Sequence, residues 1–115
     1  MLIGELANEA GTTIRALRYY EEQGLLHPRR APNGYREYDE TAVARVVNIR
    51  QLLSLGFTAH DLRAFLPCLD QHIADGPGCP ASARAITHRL TDVEAKIAAL
   101  EAIRGRLLDA LPQDR

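Results

Sequence analysis

The chain of 115 residues is almost without lysine: Lys96 is the single one among 14 basic residues, and the others are Arg. No apolar run approaches the roughly 20 residues that a membrane-spanning helix requires. Met1 leads directly into an amphipathic segment and lacks the basic and apolar stretches of a secretory signal, so a cytoplasmic location and no membrane partner are expected. A glycine-rich phosphate loop, a nucleophile elbow and an HExxH pattern are all missing. The spaced carboxylates are expected on solvated helix faces, so no catalytic constellation emerges and the chain is not expected to be an enzyme. The preference for Arg over Lys fits a genome-composition bias, and Arg also suits bidentate phosphate contacts.

What remains is an ordinary globular composition, 46% hydrophobic and 25% charged, at a length that suits one domain. The net charge of -1 does not suggest a nucleic-acid partner, but its distribution does. Between Arg15 and Arg36 five arginines face only Glu21 and Glu22, whereas acidic residues prevail from Asp61 onward. The same stretch, Thr13 to Glu40, holds all four tyrosines. It reads as a helix, a turn and a tight hairpin that together present a basic, aromatic surface to DNA.

Local signals order the elements. A first short helix from Gly4 to Ala10, with Leu6 and Ala10 inward, ends at Gly11. Thr13 caps a second helix to Gln23, with Ile14, Leu17 and, beyond the turn, Leu25 inward, and Gly24 stops it. Asn33-Gly34 predicts a hairpin from about Pro28 to Tyr38, because both residues tolerate the positive φ of a tight turn. Asp39 caps a third helix to about Leu55 with a core stripe of Val43, Val46, Val47, Ile49, Leu52 and Leu53, and Thr58 caps a fourth that Pro67 interrupts. From Pro80 to Leu111 the residues Ile86, Leu90, Val93, Ile97, Leu100, Leu107 and Leu111 follow a heptad seam in which Arg104 takes one position. Such a helix, about 48 Å long, has too long a stripe to bury on a head of fewer than 80 residues and calls for a partner helix, most simply a second copy. The expected divisions are residues 1–69 as head, 70–79 as connecting loop, 80–111 as dimerisation helix and 112–115 as a short tail.

In order and spacing, Ile3-Gly4-Glu5-Leu6-Ala7, then Gly11 to Leu26, then Asn33-Gly34-Tyr35-Arg36-Glu37-Tyr38, then Leu55-Gly56-Phe57-Thr58 resemble the MerR family of transcription regulators. The resemblance is dense over residues 2 to 69 and architectural beyond them. It implies a mainly α fold: a winged helix-turn-helix head with a small β-hairpin wing, then a long antiparallel coiled-coil dimerisation helix. The implied partners are double-stranded promoter DNA, a second copy as homodimer, and RNA polymerase. Arg15 and Arg18 are expected at the major groove. Tyr19, Tyr20, Arg36 and Arg29 or Arg30 are expected at phosphates, with Thr13 and Tyr35 on the same surface. Two residues leave open alternatives, since one tyrosine of the Tyr19-Tyr20 pair is expected to pack inward and Arg29-Arg30 also reads as a solvated loop pair.

The cofactor is left open. In metal-sensing members of the family a Cys at the start of the dimerisation helix is a ligand, completed by Cys or His from a loop after that helix. Cys79 stands there, before Pro80, where the helix dipole favours a thiolate, but no Cys or His follows His88. Cys68 and Cys79 with His72, and His60 on the preceding helix, can hold a thiophilic ion, or the thiols can form a reversible disulfide. They can equally be two reduced cysteines, Cys68 as core and Cys79 as cap. Two other functions stand beside a switched regulator: a ligand-independent architectural DNA-binding protein, and a protein-interaction module built on the long helix.

Overall fold

The structure is a computed structural model that describes residues 1–70 and 80–113. Its elements are α1 (Ile3–Ala10), α2 (Ile14–Glu22), β1 (Arg29–Arg30), β2 (Arg36–Glu37), α3 (Glu40–Ser54), a 3-10 helix (Asp61–Cys68) and α4 (Pro80–Ala110). The chain divides into two units, Met1–Ala83 and Arg84–Arg115, and each is described by itself.

Short polar signals open the helices of the first unit. Thr13 Oγ1 accepts from the Ala16 amide at 3.1 Å and Asp39 Oδ1 from the Ala42 amide at 3.2 Å, each satisfying one free donor of a first turn. Leu2, which precedes α1, has no capping side chain, and the Glu5 carboxylate accepts from its amide instead. Three helices close in the same way. After α2 the Gly24 amide donates to Glu21 O and the Leu25 amide to Tyr20 O, a pattern repeated by Gly11 and Thr12 after α1 and by Gly56 and Phe57 after α3. Gly24 sits at φ 74, the left-handed region that a side chain enters only at a cost.

α1 packs on both α2 and α3. Leu6, Leu17, Leu25, Leu26, Val46, Ile49, Leu62, Phe65 and Leu69 are fully or almost fully buried, so one core joins the three helices, the 3-10 helix and the chain entering the hairpin. Phe57 and Phe65 meet edge to face at 5.2 Å. Polar side chains, of which Asn48 is buried, tie the ends of this core. Asn48, 6% exposed, donates to the Leu69 carbonyl at 2.6 Å; Arg45 donates to the Leu25 carbonyl and reaches Asp70 at 3.0 Å; Arg50 donates to the Ala10 carbonyl at 3.0 Å. Arg45 and Arg50 therefore brace the head.

Four expectations are corrected. Ile14 is 40% exposed rather than inward, because the cap at Thr13 places it at the first position of α2, where it rests beside Gly4 at the margin of α1. Val47 is 38% exposed, and Ala42 and Asn48 line the buried face of α3 in its place. The fourth helix is 3-10 rather than α. Thr58 and Asp61 cap each other reciprocally at its start, and Pro67, which has no amide hydrogen, removes a donor from its last turn. Asn33 keeps a negative φ. The hairpin turns instead through Ala31 to Gly34, with the Gly34 amide donating to Ala31 O, Pro32 restricting φ at the second position, and only Gly34 at φ 86.

α4 has 31 residues, about 46 Å at 1.5 Å per residue. Among the expected seam residues Ile86, Leu90, Ile97, Leu100, Leu107 and Leu111 are exposed and Val93 is half-buried. Ile103 and Leu108 are exposed beside them and widen the apolar stripe around Arg104.

Gly24→Ala is expected to destabilise the head by about 1–2 kcal/mol, lowering the thermal midpoint by several degrees. Nothing lies within 4 Å of the added Cβ, so the effect is conformational, and Gly24→Asn should cost less. Equal melting of the Ala variant and the wild type would contradict the left-handed helix end.

Candidate nucleic-acid interface

The first turn of α2 carries a mixed surface. Thr13 is exposed at the cap, and Ile14, Arg15, Arg18, Tyr19 and Glu22 line one open depression along the helix. Helical spacing explains the grouping: Arg15 and Tyr19, and Arg18 and Glu22, are four apart and stand one above the other, while Leu17 points into the core. Among the described residues Arg15, Arg18 and Arg30 join no ion pair, which leaves their guanidinium donors for an external anion.

The tyrosine pair divides as α2 turns. Tyr19 is 47% exposed and Tyr20 only 6%, with ring centroids 6.3 Å apart. The placement of Tyr20 among phosphate contacts is thus corrected to a packing role: its ring completes the core below α2. Burial pushes its hydroxyl pKa up, against the opposing pull of the Arg50 charge and a hydrogen bond with Thr12.

The wing has its own charge problem. β1 and β2 pair antiparallel with Arg29 opposite Glu37 and Arg30 opposite Arg36. Like charges directly opposite destabilise a two-stranded ribbon, and a bound anion removes that penalty. Arg29 lies 3.7 Å from Asp39 with both side chains well exposed, a contact that contributes little in water. At the tip Tyr35 is 67% exposed, its amide held by Asn33 Oδ1 at 3.2 Å.

A carboxylate joins the wing to the helix. Glu21 Oε2 pairs with Arg36 Nη1 at 3.0 Å, and Tyr38 donates its hydroxyl hydrogen bond to Glu21 Oε1. Arg36 and Tyr38 are two apart on the return strand and so leave the same face, toward α2. Tyr38 is 4% exposed. Its pKa is raised strongly, first by burial, then by the hydrogen bond to Glu21 and that carboxylate's charge, with Arg36 and Arg18 pulling the other way. Its backbone is fixed as well, since it exchanges hydrogen bonds with Met1: the Met1 amino group donates to Tyr38 O at 2.7 Å and the Tyr38 amide to Met1 O at 2.8 Å. Sequence reasoning assigned no role to Glu21 or to Tyr38. The available signal was the Arg-x-Tyr spacing of the return strand facing an acid one turn beyond Arg18.

The sulfur and histidine candidates fall only partly within the described residues. Cys68 is 2% exposed in the core at the end of the 3-10 helix, and His60 is exposed at the start of that helix. His72 and Cys79 lie outside the described residues. Among the described residues no three His, Cys, Asp or Glu side chains converge closely enough to hold a metal ion.

Glu21→Ala should lower stability by about 1–3 kcal/mol in urea denaturation, since it leaves the partly buried Tyr38 hydroxyl without its acceptor. The pair's contribution is present below the ordinary tyrosine pKa near 10 and is lost as pH rises through the raised folded value, because the unfolded chain releases the proton first. Stability of the wild type should fall above that pH more steeply than stability of Tyr38→Phe. Parallel alkaline profiles would rule out the Glu21–Tyr38 bond.

Comparison with known proteins agrees with this geometry. The family described as MerR HTH family regulatory protein matches residues 1–67, and the one described as MerR, DNA binding matches residues 43–110. The chain is 33% identical over 108 residues to the HTH-type transcriptional regulator HmrR of Rhizobium leguminosarum bv. viciae, covering 93% of this chain and 81% of that protein. It superimposes with a TM-score of 0.75 and 30% identity on the transcription regulator PbrR691 from Ralstonia metallidurans CH34 in complex with lead(II), covering 95% of this chain and 84% of that one. The fold is shared at 22% identity, TM-score 0.62, with HiNmlR, a MerR family regulator lacking the sensor domain and bound to promoter DNA, over 95% of this chain and 78% of that one.

Proposed function

Because the chain belongs to the MerR family of DNA-binding transcription regulators, we propose that it works as a homodimer on a pseudo-palindromic promoter spacer, with α2 in the major groove and the wing on the flanking backbone. The observation that carries this reading is the pairing of Glu21 with Arg36, which ties the helix bearing Arg15 and Arg18 to the wing bearing Arg30 and Arg36. Arg15 and Arg18 face base edges. Tyr19, Tyr35, Arg36 and Arg29 or Arg30 face phosphates and sugars and hold the register, and Thr13 supports the helix end that approaches the groove.

α4 supplies the second half of the proposal. Its stripe of exposed Ile and Leu over about 46 Å is the seam of an antiparallel helix pair, which spaces two heads for two half-sites. Bound this way, the dimer bends and untwists the spacer so that RNA polymerase meets both promoter elements, with phosphate contacts supplying the deformation energy. The protein acts in the cytoplasm; among the described residues no helix is long and apolar enough to cross a membrane. Its relatives are regulators, and no catalytic step is proposed. Switching by thiol chemistry or a thiophilic metal at Cys68 and Cys79 stays part of the proposal; Cys68 is 2% exposed in the core, and Cys79 and His72 lie outside the described residues.

Arg18→Ala and Arg36→Ala are expected to weaken operator binding without altering the sedimentation of the dimer. For Arg36→Ala the lost phosphate contact should also reduce the slope of log affinity against log salt by about one per head. Unchanged affinity and slope in both variants would remove this face as the DNA surface.

Ile97→Asp should give a monomer in analytical ultracentrifugation and lose operator binding with it. A carboxylate in the middle of an apolar seam has no partner there, and its desolvation costs several kcal/mol. A dimeric Ile97→Asp would mean that α4 is not the association surface.

A further inference from the structure

We infer that Ile14 is a specificity-determining residue whose exposed side chain packs on the 5-methyl group of a thymine in the major groove. The inference rests on the proposed docking of α2 and names what one position of that surface reads. Ile14 is the first residue of α2, directly after the Thr13 cap, and it is the N-terminal part of a recognition helix that reaches base edges. It is 40% exposed and lines the same depression as Arg15, Arg18 and Tyr19. An aliphatic group among guanidiniums offers no hydrogen bond and no charge. On the major-groove edge the one feature that rewards such a group is the thymine methyl, which no other base presents.

The side chain is also held in place. Its Cδ1 lies 3.8 Å from the point where a Cβ on Gly4 would stand, so the end of the side chain lies beside α1 at the one position of that helix where no side chain stands in its way. A branched Cβ restricts the first torsion angle, so little side-chain freedom remains to be lost. An apolar group fixed in this way discriminates by shape without losing side-chain entropy on binding. Arg15 and Arg18 supply attraction to any duplex or to guanine, and Ile14 adds a preference that charge cannot supply.

The test uses full-length protein and duplexes enriched from a randomised pool by the wild type. Each thymine of the enriched site is replaced in turn by deoxyuridine, which keeps base pairing and removes only the methyl group. At one thymine in each half-site the replacement should weaken wild-type binding about fourfold, the equivalent of about 0.8 kcal/mol for one buried carbon. Ile14→Ala should bind the thymine and deoxyuridine duplexes equally at that position, and Ile14→Val should keep an intermediate preference and carry the test if the Ala variant is poorly folded. Wild-type indifference to deoxyuridine at every thymine, or a thymine preference that survives in both variants, would overturn the inference and leave the DNA-binding reading intact. A pool that yields no enriched sequence would overturn both.

Discussion

The Glu21 carboxylate is the constraint on which the proposed DNA surface depends. α2 and the wing are separate elements, joined by a loop and a two-residue-wide ribbon, and a ribbon of that length is marginal by itself. One oxygen of Glu21 takes Arg36 and the other takes Tyr38, and Tyr38 in turn shares backbone hydrogen bonds with Met1. The wing is thereby referenced to the helix that it must assist. The buried hydroxyl also stays protonated far into the alkaline range, so the tie is insensitive to pH near neutrality.

Around that tie the arginines are unevenly committed. Arg30 faces Arg36 across the ribbon, Arg36 is paired with Glu21, and among the described residues Arg15 and Arg18 have no carboxylate partner. In the proposed complex a phosphate backbone would take up the remaining donors with release of counterions, which couples binding strength to salt concentration. Two other arginines of the head, Arg45 and Arg50, spend their donors on the carbonyls of Leu25 and Ala10. Counting arginines therefore overstates the surface available to DNA.

The long helix poses the complementary problem of apolar surface. Exposed Leu90, Ile97, Leu100, Leu107 and Leu111 recur at heptad spacing, and Ile103 and Leu108 broaden the stripe where Arg104 interrupts it. A wider apolar band beside a charged position lets a partner helix pack past the arginine, whose stem can lie along the seam with its head in water.

Much of this was legible from residues alone. Capping and terminating residues are local chemistry, so Thr13, Asp39, Gly11, Gly24 and Gly56 marked the helix ends that the structure shows, and the heptad pattern marked α4 from Pro80. The basic, aromatic stretch, with its ordered motifs, likewise indicated the family. What the sequence could not assign was direction and partnership. Which of Tyr19 and Tyr20 turns inward, and that Ile14 remains outside, follow from how α2 lies on α1. That the segment Asp61–Cys68 winds as 3-10 rather than α was not legible from its apolar spacing either. The partners of Arg36, Arg45 and Arg50 lie 15, 20 and 40 residues away, a separation at which no local spacing rule operates. Local chemistry determined the elements and the composition of the surface; tertiary packing decided which charges are consumed within the head and which, among the described residues, remain outside any ion pair, because that choice is made only when distant segments meet.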